Sequence, residues 1–246
     1  MFFNLETAVQ DNKLMQDFDL ESLPMGAGHS QMVKAAPIGS DYGSKDCVNL
    51  LSSIAVFRLK ISQEQQAAIE AVIQKSKRPI VMVCPGSAWR NKQLTTETLA
   101  SFLDLLRDYL SCYFLFVWGS AEEKQMVEKL HTEFAAGSQI VDKMSLPMLQ
   151  NMMVMSNLVI AMDSLPLHLA GTTGTPTFSV FGASSAAKYK PPGNQHYAFQ
   201  GSCPYGRSFE KRCPILRTCP TGACIREVKA AELFEAFKAW WIGVVA

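Results

Sequence analysis

The chain has 246 residues, 48% hydrophobic and 18% charged, with a formal net charge of +1. That composition suits a buried core and excludes disorder as the general state. The length holds one large domain, or one domain and part of another. The even charge gives no ground for a nucleic-acid partner, and no apolar run reaches the roughly 18 residues of a membrane-spanning helix. Met1-Phe2-Phe3 is followed at once by Asn4 and Glu6, without the basic start and apolar run of a secretory signal. A cytoplasmic protein is expected, with at most peripheral contact at a membrane face.

Residues 1–60 are weakly patterned: Gly, Ser and Asp are scattered through Pro24–Lys45, and only Val48–Leu59 is moderately apolar. Loops and a short helix are expected there. Ser62 and Gln65 then make a capping-box pattern, and Ile69, Val72 and Ile73 give the helix a buried stripe. Ile80–Cys84 is a continuous apolar run between Pro79 and Pro85-Gly86, hence a buried strand. Thr95–Leu110 is a helix with Leu99, Phe102, Leu103 and Leu106 on one side. Cys112–Trp118 is a second strand, and Glu122–Phe134 a helix.

Gln139–Val141 is a short strand, Ser145 caps a helix through Met155, and Leu158–Met162 is a strand. A helix begins at Ser164, Pro176–Phe181 is a further strand, and Glu227–Trp241 is a final amphipathic helix. Strands that are apolar throughout and alternate with helices predict an α/β fold, a parallel sheet covered on both faces. Pro79 to Gly182 is the centre of that domain.

In such a sheet ligands lie beyond the carboxyl ends of the strands. Pro85–Lys92 offers a close-approach glycine, the Ser87 hydroxyl and the Lys92 charge, parts of a phosphate grip that an ordinary turn could also contain. No G-x-x-x-x-G-K-[ST] P-loop is present. Asp163 ends a buried strand just where a helix starts, and free amides there favour a phosphate. Asp163 or Ser164 as a plain N-cap, with His168 in the core, fits the pattern equally well. Ser120 could meet a ribose or cap the next helix. Met148, Met152, Met153 and Met155 read as core, whereas Met144 lies in a loop whose backbone could face a base.

Two late features stay open. Lys188, Lys190, Lys211, Arg212, Arg217 and Arg226 form either a solvated face or an anion-binding one. Of the seven cysteines, Cys84 and Cys112 fall in apolar runs, while Cys203, Cys213, Cys219 and Cys224 cluster late. Thiols or a metal suit a reducing cytosol better than disulfides, but no C-x-x-C pair marks a zinc site.

The segments PGSAWRNKQL, FVWGSAEEKQMVEKL, KMSLPMLQNMMVMSNLVIAMDSLPLHLAGTTGTPTFSVFG and RCPILRTCPTGAC, in this order from Pro85 to Cys224, resemble the C-terminal half of the heptosyltransferase family. These are GT-B glycosyltransferases of the lipopolysaccharide inner core. The resemblance implies a Rossmann-like donor domain over residues 76–246, with residues 1–75 as the remnant of an acceptor-side domain and linker. It implies transfer of heptose from ADP-heptose to the lipopolysaccharide core, with inversion and without metal or cofactor.

By the same resemblance Ser87 and Lys92 hold the diphosphate, with Ser164 and the amide of Leu165. Ser120 falls near the ribose, Met144 at the adenine, Asp163 at the donor sugar, and His168 is the histidine of the motif. Two departures stand out. The family motif has glycine where this chain has Leu165, and the glycine-rich loop that carries the catalytic base is not found in residues 1–78. The alternative expectation is therefore a nucleotide-sugar-binding domain without catalysis. A zinc-stabilised interaction domain rests on the late cysteines alone.

Overall fold

Alternation along the strands decides which side chains meet which helices. In β1 (Ile80–Cys84), Val81 and Val83 point to one face of the sheet while Ile80, Met82 and Cys84 point to the other, and all five are buried. The computed structural model describes residues 58–245. The expectations for Pro24–Lys45 and for most of Val48–Leu59 lie outside the described residues.

Five of the strands fall where the apolar runs predict them: β1, β2 (Tyr113–Phe116), β3 (Ser138–Ile140), β4 (Leu158–Met162) and β5 (Thr177–Phe181). A sixth, β6 (His196–Gln200), pairs with β5 and was not anticipated. The order is β3-β2-β1-β4-β5-β6, every pair parallel. Chain direction across the sheet reverses between β1 and β4, so the loops leaving these two strands flank a crevice.

The helices are α1 (Gln63–Ile73), α2 (Thr96–Leu110), α3 (Ala121–Glu133), α4 (Leu146–Val154), α5 (Leu165–Ala170), α6 (Ala186–Tyr189), α7 (Ala223–Arg226) and α8 (Ala230–Val245). The expected final helix, Glu227–Trp241, is α8: it starts later, at Ala230, and runs on to Val245, and the short α7 before it lies outside the expected range. On one face of the sheet Phe102 and Leu106 of α2, Leu130 of α3 and Phe237 of α8 pack against Val83, Phe116 and Phe178. On the other, Ile69 of α1, Met152 and Met153 of α4 and Leu167 of α5 pack against Met82 and Ala161. Phe178 centres an aromatic group, 5.5 Å from Phe237 and 5.3 Å from Tyr197.

The Ser62 capping box forms as expected: the Gln65 amide donates to the Ser62 hydroxyl at 3.2 Å, and the Gln65 carboxamide oxygen accepts from the Ser62 amide at 2.9 Å. Ser62→Ala is expected to cost about 1 kcal/mol, measured as a lower urea midpoint with unchanged slope. Just before it, the Leu59 amide donates to Gln150 at 2.7 Å and the Leu59 carbonyl accepts from Asn151 at 2.8 Å, tying this segment to α4.

Candidate functional site

A cleft of about 830 Å³ opens at the carboxyl ends of β1 and β4. Its floor is the loop after β1. There Lys92 ends a single 3-10 turn, and its ammonium lies 2.5 Å from the Asp163 carboxylate. Both side chains are largely buried, at 12% and 7% exposure. The Ser87 hydroxyl donates to the Asp163 carbonyl at 3.1 Å, so a second bond joins the two loops across the crevice. His168, one helical turn on, is exposed rather than in the core, and its Nε2 stands 3.8 Å from Asp163 Oδ1.

Burial works against ionising Asp163, but hydrogen bonding from His168, the charge and hydrogen bond of Lys92, and the Ser184 hydroxyl together hold its carboxyl at about 2. The result is a fixed anion beside a fixed cation at the mouth of the crevice. Burial pushes the Cys84 thiol beneath the cleft up to about 12, with the Glu123 charge adding to it, so this cysteine is inert at neutral pH.

Ser87, Lys92, Met144, Asp163, Ser164 and Leu165 all line the cleft. Leu165, the residue out of pattern, is 45% exposed on its rim. Ser164 precedes α5, but its hydroxyl turns back to the Met162 carbonyl at 3.3 Å instead of capping the helix. Ser120 and His168 are not among the lining residues. The Ser120 hydroxyl caps α3, accepting from the Glu123 amide at 3.2 Å.

Two contributions went unseen in the sequence. Glu123, in the first turn of α3, reaches the cleft, and its carboxylate accepts from the Gly119 amide at 2.7 Å. It lies directly over Gly86, where any Cβ would collide with it. The signal was its place three residues after Ser120, the position from which a capping glutamate turns back. The far wall comes from residues 212–218, which bring Arg212 and Arg217 of the late basic cluster to the cleft.

That wall is docked from behind. The Cys213 amide donates to the Ala183 carbonyl at 2.8 Å, and Asn91 donates to the carbonyls of Leu216 and Cys219 at 2.8 and 2.9 Å. In front, the Arg217 guanidinium lies 4.6 Å from the centre of the Trp89 ring. Lys190 of the basic cluster has a different task. It donates to the carbonyls of Pro191, Gly193 and His196, and partial burial lowers its pKa. Among the late cysteines, burial and the neighbouring Cys203, Cys219 and Cys213 raise Cys224 to about 11.

A family profile, glycosyltransferase family 9 (heptosyltransferase), matches residues 50–218. The chain belongs to glycosyltransferase family 9. A comparison with curated proteins gives no match. Among solved structures, the family 9 glycosyltransferase of Veillonella parvula DSM 2008 is similar at 19% identity and TM-score 0.61, over 80% of this chain and 58% of that one. The E. coli ADP-heptose lipopolysaccharide heptosyltransferase II follows at 16% identity and TM-score 0.58, over 77% of this chain and 54% of that one. The E. coli heptosyltransferase WaaC, solved with ADP, shares 16% identity at TM-score 0.54, over 69% and 49% of the two chains.

At these identities the likeness is one of fold: the described residues form a Rossmann-like α/β domain that matches part of these GT-B structures. This family 9 chain spans about half the length of the structures it matches, 49% to 58%. Among its described residues no helix is long and apolar enough to cross a membrane.

Proposed function

We propose that the described domain is the donor half of a heptosyltransferase, binding ADP-heptose for transfer of heptose, with inversion, to the lipopolysaccharide inner core. Residues 76–246 then form the donor domain and residues 1–75 the end of an acceptor-side domain with its linker. The observation that carries this reading is the Lys92–Asp163 pair at the crevice between β1 and β4. The cleft above it, about 830 Å³, falls within the roughly 300–1,000 Å³ of small-ligand sites. WaaC, of the same fold, was solved with ADP.

In this reaction an acceptor hydroxyl oxygen attacks the anomeric carbon, and the bond from that carbon to the β-phosphate oxygen breaks. The electron pair leaves on ADP, and the acceptor proton passes to a base outside the described residues. Charge therefore grows on the diphosphate as the bond stretches, and Lys92 is the group beside it. Ser87, Ser164 and the Leu165 amide complete the phosphate contacts, with Met144 toward the base and Ser120 toward the ribose. Asp163 and His168 face the heptose, Asp163 accepting from its hydroxyls. Contact with the inner membrane at its cytoplasmic face would follow from the acceptor.

Calorimetric titration with ADP, ADP-heptose and adenosine tests the reading. Both diphosphates should bind more tightly than adenosine, and Lys92→Met should weaken ADP at least tenfold while leaving adenosine nearly unchanged. No heat from either diphosphate at millimolar concentration would sink the donor assignment. Donor binding without turnover in the presence of acceptor would leave a nucleotide-sugar-binding module.

A further inference from the structure

The charged side chains lining the cleft are Lys92, Lys143, Arg212 and Arg217 against Glu123 and Asp163. Both anions belong to the floor. Asp163 is paired with Lys92, and Glu123 accepts from the Gly119 amide directly over Gly86. Lys92 therefore brings its partner's negative charge with it, and Glu123 leaves the floor negative on balance. A diphosphate, anionic on both phosphates, needs positive charge from another part of the cleft. The other three cations are not equivalent. Lys143 precedes Met144, at the end of the cleft assigned to the base. Arg212 stands over the Tyr189 ring at 5.2 Å, in a segment bridged to Ser184. Arg217 is exposed, and among the described residues its guanidinium has the Trp89 ring for a partner and neither a hydrogen bond nor an ion pair. A ring face takes up none of its ordinary hydrogen bonds, so the planar fork of N–H donors is left for a ligand.

The backbone under Arg217 is held on both sides. Asn91, 8% exposed and next to Lys92 in the chain, donates to the carbonyls of Leu216 and Cys219. The amides of Thr218 and Cys219 both donate to the Ile215 carbonyl, at 3.0 and 2.7 Å, closing a turn around Arg217. One buried side chain thus ties the loop of Lys92 to the turn of Arg217, and Trp89 of the same loop supports the guanidinium from its face. We propose that Arg217 is the second diphosphate-binding residue of the cleft, gripping phosphate oxygens through its N–H fork from the wall facing Lys92. The inference rests on the donor reading and deepens it. Lys92 sets a point charge at the floor, while Arg217 supplies the net positive charge that draws the anion in and the paired donors that orient it. Charge that grows on the diphosphate as the bond to heptose breaks is then met from two sides.

The test is calorimetric titration of the full chain with ADP and with adenosine, at low and at high salt, a binding measurement that needs no turnover. Arg217→Gln should weaken ADP at least tenfold and leave adenosine unchanged, and it should flatten the loss of ADP affinity with added salt. Arg217→Lys, which keeps the charge without the fork, should recover part of that loss. Lys188→Gln removes the same charge from an exposed residue of the late basic cluster that does not line the cleft, and should leave ADP binding as it was. Wild type that binds ADP while Arg217→Gln binds it equally well, or loses adenosine to the same extent, overturns the role of Arg217 and leaves the donor reading standing. A Lys188→Gln variant as impaired as Arg217→Gln overturns it too, since the effect would then be one of overall charge. Wild type that binds no ADP at millimolar concentration removes both readings together.

Discussion

Lys92→Met is expected to destabilise the fold by about 3–5 kcal/mol at neutral pH, because it leaves the Asp163 carboxylate charged, buried and without its nearest cation. In the native chain the Asp163 carboxyl sits at about 2 instead of its ordinary 3.8, a difference equivalent to about 2 kcal/mol of stability. A depressed carboxyl contributes fully above the ordinary value and loses that contribution as the pH falls through about 2. Without Lys92 the desolvation that opposes ionisation is less well offset, so the carboxyl rises and protonates earlier on acidification.

The deficit of the variant against wild type should therefore shrink between pH 7 and pH 4, measured by urea unfolding at each. An equal deficit at both would point to lost packing instead of an orphaned charge. Adding Asp163→Asn to Lys92→Met should recover most of the loss, since removing both partners of a buried pair is far cheaper than removing one. A double variant no more stable than the single one would mean that the pair is not the source.

Gly201→Ala should also be severe, and for steric reasons alone. Gly201 follows β6, its amide donating to the Phe181 carbonyl at 2.8 Å. An added Cβ would collide with the Cys224 carbonyl oxygen and lie 3.3 Å from Val228 Cγ2. A backbone oxygen cannot rotate aside as a side chain can, so α7 must move. The expected loss is at or above the upper end of roughly 1–3 kcal/mol, the usual range for overpacking. Gly243→Ala is the matching control: no atom lies within 4 Å of its added Cβ, and in α8 the change should stabilise by about 0.5–1 kcal/mol. Thermal melts of the two variants should move in opposite directions, and similar small shifts would refute the close approach at Gly201.

The centre of the fold was legible because its strands are buried on both faces. Ile80–Cys84 and Leu158–Met162 contain no polar residue, so no other element competes for them. β6 escaped because His-Tyr-Ala-Phe-Gln is an edge strand with one buried residue out of five, and neither period nor apolar run marks it. Within the cleft, the loops that directly follow β1 and β4 could be located, since a strand end followed by polar residues is a local pattern. The partnership of Lys92 with Asp163 could not, because it depends on which strands become neighbours. For the same reason the two readings of Arg212 and Arg217, solvated or anion-binding, stay open in the sequence: the bonds that tie their segment to Ala183, Ser185 and Asn91 bring it over the site. Ser120 and Ser164 show the converse, hydroxyls at helix starts of which one caps and the other does not.

The cation resting on Trp89 has an optical consequence. The chain has four tryptophans. Trp241 stacks on Phe237 of α8 and Trp240 meets the same ring edge-on, while Trp89 and Trp118 border the cleft. Arg217 sits over the face of Trp89 and Lys124 over that of Trp118, at 4.6 and 5.2 Å from the ring centres. A positive charge at the face of an indole shifts the energy of its excited state, so moving either cation changes the colour of the light that ring emits. The intrinsic fluorescence is accordingly divided between a helix pair that senses the integrity of the core and a cleft pair that senses the electric field where a ligand would lie.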